Sequence, residues 1–130
     1  MDSNELITTL IDKGFTRVKE WVRANFDVKG EFKGNEYKFE ILPISKLDLV
    51  SIEWECNERP SGIQWTDADW YVYQIDDKNW IINIEQLKWK IALGSYRKVT
   101  GKILISLTEF QQDSIPLDKW VNNIKEGVNG

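Results

Sequence analysis

Apolar side chains recur at a helical period over residues 4–24. Leu6, Ile7, Leu10 and Ile11, then Val18, Trp21 and Val22, return at about 3.6-residue spacing. The pattern predicts a helix there, capped by Ser3 and bent or split at Gly14. From Asp27 onward the period drops to two. Residues 27–33 and 36–44 read as a hairpin joined at Gly34-Asn35. In its second strand Tyr37, Phe39 and Ile41 face one way, and Glu36, Lys38, Glu40 and Leu42 the other. Pro43 lacks a backbone donor and belongs at a strand end or edge.

Residues 49–56 read as a third strand. Ile52, Trp54 and Cys56 alternate there with Glu53 and Glu55, which makes Cys56 a small buried hydrophobe. Residues 57–68 read as a loop or one helical turn, with Ser61 capping the turn and Gly62 supplying a permissive backbone. Trp70–Ile75 and Trp80–Asn83 are two more strands, across a polar turn at Asp76-Asp77-Lys78. Asn83 caps a helix through about Leu93, with Gln86 three residues on as in a capping box and Gly94 ending it. Lys102–Leu107 is a last strand. Leu117, Trp120, Val121 and Ile124 line one face of a closing helix that starts near Pro116. The order α-β-β-β-turn-β-β-α-β-α describes one α+β domain over residues 1–130 with a central mixed sheet.

A chain of 130 residues can bury one core, and seven Trp, five Phe and four Tyr give that core its bulk. No run of about 18 apolar residues exists, so no membrane-spanning helix is expected. The segment MDSNELITTL has neither a basic start nor a long apolar stretch and does not read as a signal peptide. A single cysteine cannot form an internal disulfide, so the default setting is a reducing cytoplasm.

Histidine is absent. That removes Ser-His-Asp and Cys-His catalysis and His-ligated zinc. Carboxylates, Lys, Tyr, Ser/Thr and a hard metal remain. The formal charge of −4 disfavours nucleic acid unless a local basic patch or a metal ion offsets it.

Alternation places Glu36, Lys38 and Glu40 on one strand face at neighbour spacings of about 6.6–6.8 Å. Asp27, on the preceding strand, can lie beside this row. Mg²⁺ takes one or two carboxylates plus waters and phosphate oxygens. Asp27, Glu40 and Glu36 are thus candidate ligands for Mg²⁺ or Mn²⁺ in phosphodiester hydrolysis, with Lys38 offsetting developing charge. A half-solvated strand carries the same alternation for no chemical reason.

The string from Asp27 through FEIL and IEWECNERPSGIQWTDADWYVY resembles the small phage-encoded nucleases of the PD-(D/E)XK, restriction-endonuclease-like superfamily, which includes relatives of Holliday-junction resolvases. The likeness spans about residues 3–110, and its more specific part is Pro60-Ser61-Gly62-Ile63 through Ala68-Asp69-Trp70-Tyr71-Val72-Tyr73. It implies a restriction-endonuclease-like central mixed sheet flanked by helices. It also implies a Mg²⁺- or Mn²⁺-dependent DNA endonuclease, with branched DNA among its substrates, working as a homodimer in a host cytoplasm. Asp27 would match the family Asp, Glu40 the Glu of Glu-x-Lys, and Glu53 a third-strand Glu. The family often adds a Glu from the first helix, for which Glu5 is better placed than Glu20.

The sequence departs from the family at Leu42, which stands where the motif lysine belongs. Lys38 can reach back along the strand, or the motif is the literal Glu36-Tyr37-Lys38, or the site has decayed. In the last case the chain is a catalytically inactive nuclease fold that binds or inhibits a host or viral protein.

Outside this region, Lys88, Lys90, Arg97 and Lys98 are the candidate nucleic-acid contacts, in the most basic stretch of an acidic chain. Tryptophan is mostly a packing residue. Trp65, in a loop, is the best candidate for stacking on a base. Thr66-Asp67-Ala68-Asp69 lacks the glycine and distal glutamate of a calcium loop and reads as a capped turn entering a strand.

Overall fold

Helix α1 covers Ser3–Asp12, well short of the predicted helix. Asp2, not Ser3, caps it: the Asp2 carboxylate accepts the Glu5 N–H at 2.8 Å. Gly14 ends the run at φ +100°, a backbone that side chains resist. The next residues form strand β1, Thr16–Glu20, with two β-branched side chains in a row of five. Val18, Trp21 and Val22 continued the helical period only because sparse apolar positions fit both periods. Residues 1–22, 25–44 and 48–127 are described in this computed structural model; the end of the predicted helix, 23–24, lies outside them.

Strands β2 (Val28–Phe32) and β3 (Asn35–Ile41) form the hairpin. Its turn is Lys33-Gly34, both at positive φ, rather than Gly34-Asn35. A two-residue turn of this kind matches the strand twist. The earlier turn shifts the register by two residues, so that Val28 opposes Phe39 instead of Ile41.

The expected third strand does not join this sheet. β4 (Leu49–Glu53) pairs with β10 (Lys102–Ser106), which pairs with β9 (Arg97–Val99) in a separate antiparallel sheet. Beyond β4, β5 (Glu55–Cys56) and β6 (Arg59–Pro60) make a small ribbon that leaves Cys56 exposed, against the expectation of burial. A 3-10 turn follows at Gly62–Gln64. Ser61 stands at its cap position without a side-chain cap bond.

β7 (Trp70–Ile75) and β8 (Lys78–Asn83) turn at Asp76-Asp77, and Asn83 caps α2 (Ile84–Ala92) by accepting the Gln86 N–H at 2.9 Å. Helix α3 (Leu107–Gln112), which the pattern did not predict, is capped by Ser106. Strand β11 (Ile115–Pro116) leads into α4 (Leu117–Lys125).

The main sheet runs β1-β2-β3-β7-β8-β11, parallel between β3 and β7 and antiparallel elsewhere. The fold is α+β: among the described residues it has this six-stranded mixed sheet, two smaller sheets and four helices. One face buries Phe39, Trp70, Val72 and Ile81 under α1 and α4. Trp120 of α4 is fully buried there, its ring 5.2–6.0 Å from those of Phe15, Tyr37, Phe39 and Trp70. The other face carries Tyr71, Tyr73 and Ile82 against Val50, Ile52, Ile103 and Ile105 of the small sheet and Leu87, Ile91 and Phe110 of α2 and α3. The same face of β3 carries Glu40.

Candidate active site

The hairpin register builds the site. Continued one step past Val28↔Phe39, it sets Asp27 beside Glu40; the Asp27 N–H donates to the Phe39 carbonyl at 2.9 Å. Asp27 is half-buried, and its Oδ2 accepts the Ile41 N–H at 2.7 Å. One carboxylate oxygen is thereby held by the backbone, and the other is left for a ligand.

Glu40 is also half-buried. The Thr66 hydroxyl donates to its Oε1 at 3.1 Å, and the buried Tyr71 phenol, its partner on β7, bonds it as well. Burial raises the Glu40 carboxyl above the usual glutamate range, and the Asp27 charge raises it further, while the bonds from Thr66 and Tyr71 work the other way. Burial and the Glu40 charge together push the Tyr71 phenol up. Two close carboxylates, partly desolvated, favour either a shared proton or a cation.

Loop 62–69 completes this edge of the site. Thr66 Oγ1 also lies 2.8 Å from the Asn25 carbonyl oxygen, so its one hydroxyl proton is shared between that oxygen and Glu40, and it accepts the Ala68 N–H at 3.1 Å, a capped turn entering β7. Asp69 Oδ2 accepts the Lys38 N–H at 3.1 Å. Gly62 permits the loop. Its φ is +57°, and a Cβ there would stand 2.1 Å from the Glu53 carbonyl oxygen.

The other residues singled out in the sequence fall at varied distances from this pair. Lys38 shares the face of Glu40, but its ammonium lies 5.4 Å from the Phe26 ring centroid and forms no ion pair with either carboxylate. Glu36 is further out, bonded to Lys29 at 2.8 Å. Leu42 packs into the core, 9% exposed. Glu53 is in the other sheet, opposite Lys102. Glu5 is on α1, which packs on the opposite face of the main sheet. Glu20, at the end of the edge strand β1, pairs with Val28. Among the described residues no group of three or more acidic, Cys or His side chains is set to hold a metal ion.

The donor set still suits a hard cation. Asp27 and Glu40 offer carboxylate oxygens from two paired strands, and Mg²⁺ needs no more than one or two carboxylates beside water.

The basic candidates lie elsewhere. Lys88 and Lys90 are on α2, where Lys90 pairs with Asp113 at 2.5 Å. Arg97 and Lys98 are exposed on β9, and the Lys98 ammonium lies 5.2 Å from the Trp54 ring centroid.

Four residues escape the sequence pattern: Thr66 and Tyr71 against Glu40, and Lys29 and Asp69 beside Lys38, which shares the strand of Glu40. Lys29 is the direct partner of Lys38, and its ammonium sits 5.3 Å from the Trp21 ring centroid. The Lys33-Gly34 turn alone sets Lys29 opposite Lys38. Thr66 and Tyr71 come close only through the parallel β3–β7 pairing, which has no local signal.

Among the described residues no helix is long and apolar enough to cross a membrane. Compared with known proteins, the chain matches no family model and no curated protein sequence.

Proposed function

We propose that the chain is a DNA endonuclease that uses Mg²⁺ or Mn²⁺ held by Asp27 and Glu40. One observation carries this reading: two acidic side chains from adjacent strands share a half-buried spot with no Lys or Arg, among the described residues, to neutralise them. A divalent ion bound there supplies charge neutralisation at a phosphate and an activated water. The backbone bond to Asp27 and the hydroxyl bond to Glu40 hold both groups in place before substrate arrives. Lys38 and Lys29, directly opposite each other on the same face, offset charge on the phosphate. Action on branched DNA as a two-fold pair, in a phage-infected host cytoplasm, belongs to the same proposal.

A second reading is favoured by the burial of Leu42 and by Lys38 resting over Phe26. In it the fold persists without turnover and serves to bind DNA or a host or viral protein. Cleavage of linear and four-way DNA with Mg²⁺ or Mn²⁺, beside Asp27→Ala and Glu40→Ala, separates the two. The hydrolase reading expects cleavage that both substitutions abolish. Cleavage that survives both removes the site, and binding without any cleavage supports the second reading.

A further inference from the structure

Two exposed indoles sit on the chain segments that hold the carboxylate pair. Trp65 is 66% exposed and precedes Thr66, the residue whose hydroxyl donates to Glu40; their Cα atoms are about 3.8 Å apart. Trp21 is 44% exposed, and its N–H donates to the Asp27 carbonyl at 3.0 Å. One indole is therefore tied through its chain neighbour to Glu40, and the other through the backbone to Asp27.

The Trp21 ring lies 5.9 Å from Phe26, and these two rings receive the ammonium groups of Lys29 and Lys38. Rings and cations thus interleave along the edge of the site. Backbone-tracking cations combined with aromatic faces are how proteins hold unpaired nucleotides, because every base has a π-face whatever its identity. A base stacked inside a duplex offers no such face to an exposed indole.

We infer that the substrate of this site carries unpaired nucleotides next to the phosphate to be cut, and that Trp65 and Trp21 are the platforms on which those bases stack. This rests on the endonuclease reading. The acidic groups nearby, Asp27, Glu36, Glu40, Asp67 and Asp69, repel phosphate, so the strand docks only with a divalent cation present.

The test measures fluorescence anisotropy of a labelled oligothymidine of about 12 nucleotides and of a duplex of equal length, in Ca²⁺ and in chelator. The wild-type protein should bind the single strand about tenfold or more tighter than the duplex, in Ca²⁺ only. Trp65→Ala should weaken single-strand binding about tenfold without changing duplex binding, and Trp65→Phe should restore most of the loss. An unchanged melting temperature in Trp65→Ala confirms an intact fold. Equal affinity for single strand and duplex overturns the inference, as does Trp65→Ala binding like wild type or an absence of single-strand binding. If Trp65→Ala loses binding but no DNA is ever cut with Mg²⁺ or Mn²⁺, the hydrolase reading fails and the stacking platform stands. If Asp27→Ala abolishes cleavage while Trp65→Ala binds like wild type, the platform fails and the hydrolase reading stands.

Discussion

Lys29 and Lys38 are direct partners across the β2–β3 ladder. Like charges so placed destabilise a hairpin. Glu36 takes up Lys29 at 2.8 Å, and the rings of Trp21 and Phe26 face one ammonium each. No acid forms an ion pair with Lys38 among the described residues. Lys38→Ala is therefore expected to change stability by no more than about 1 kcal/mol, the worth of a half-buried cation–π contact. Cleavage should fall about a hundredfold or more if this ammonium meets the phosphate. Denaturant melts and single-turnover cleavage check both halves, and unchanged cleavage removes Lys38 from the site.

Glu40 should make stability depend on pH. Its carboxyl is raised by burial first and by Asp27 second. A raised acid favours the fold while it stays protonated in both states. That support fades as pH climbs from the ordinary glutamate range of the unfolded chain through the raised folded-state value. Glu40→Gln should then raise Tm at pH 7 by about 2–5 °C and change it little near pH 4. Calorimetry at the two pH values decides; an equal shift at both sinks the desolvation argument.

Asp27 has a structural duty apart from any metal, because its Oδ2 accepts the Ile41 N–H. Asp27→Asn keeps a carbonyl oxygen there and should melt close to wild type. Asp27→Ala strands a half-buried donor and should cost about 1–3 kcal/mol. If the pair holds a metal, titration calorimetry should detect Mn²⁺ binding to the wild type, and both variants should lose it. Retained Mn²⁺ affinity in either variant would take Asp27 out of the ligand set.

Leu42 belongs to the core, and its N–H donates to the Val72 carbonyl at 2.9 Å. Installing the motif lysine, Leu42→Lys, places an ammonium against apolar neighbours and should cost about 2–4 kcal/mol. Chemical denaturation measures this. A variant as stable as wild type that cuts DNA faster would show that the position opens to the cleft.

Gly62 is the tightest point of loop 62–69. Gly62→Ala sets a methyl group into the Glu53 carbonyl at a backbone angle that side chains avoid. The expected loss is about 3 kcal/mol or more. The shifted loop would also withdraw Thr66 from Glu40. An unchanged melt would mean that the loop relaxes freely.

Much of the fold was legible from local chemistry. Asn83 with Gln86 and Gly94 framed α2, and the alternation in β3 assigned Glu40 and Phe39 to opposite faces correctly. The failures were also local. The sparse apolar period runs past Gly14, and a turn at Gly34-Asn35 sets Asp27 opposite Leu42, whereas the Lys33-Gly34 turn sets it opposite Glu40. The alternation buries Cys56 only if β4 runs on to it, and β4 ends at Glu53.

By itself the sequence determined the kinds of chemistry open to this chain. It has no histidine, a single cysteine, and acidic and basic side chains on one strand face, all properties of composition and of a two-residue period. The tertiary structure alone decided which groups meet. The parallel pairing of β3 with β7 brought Tyr71 and loop 62–69 to Glu40, and the second sheet carried Glu53 away. Such contacts join residues far apart in the chain, and their free energy comes from burying a shared core, which no short window of residues encodes.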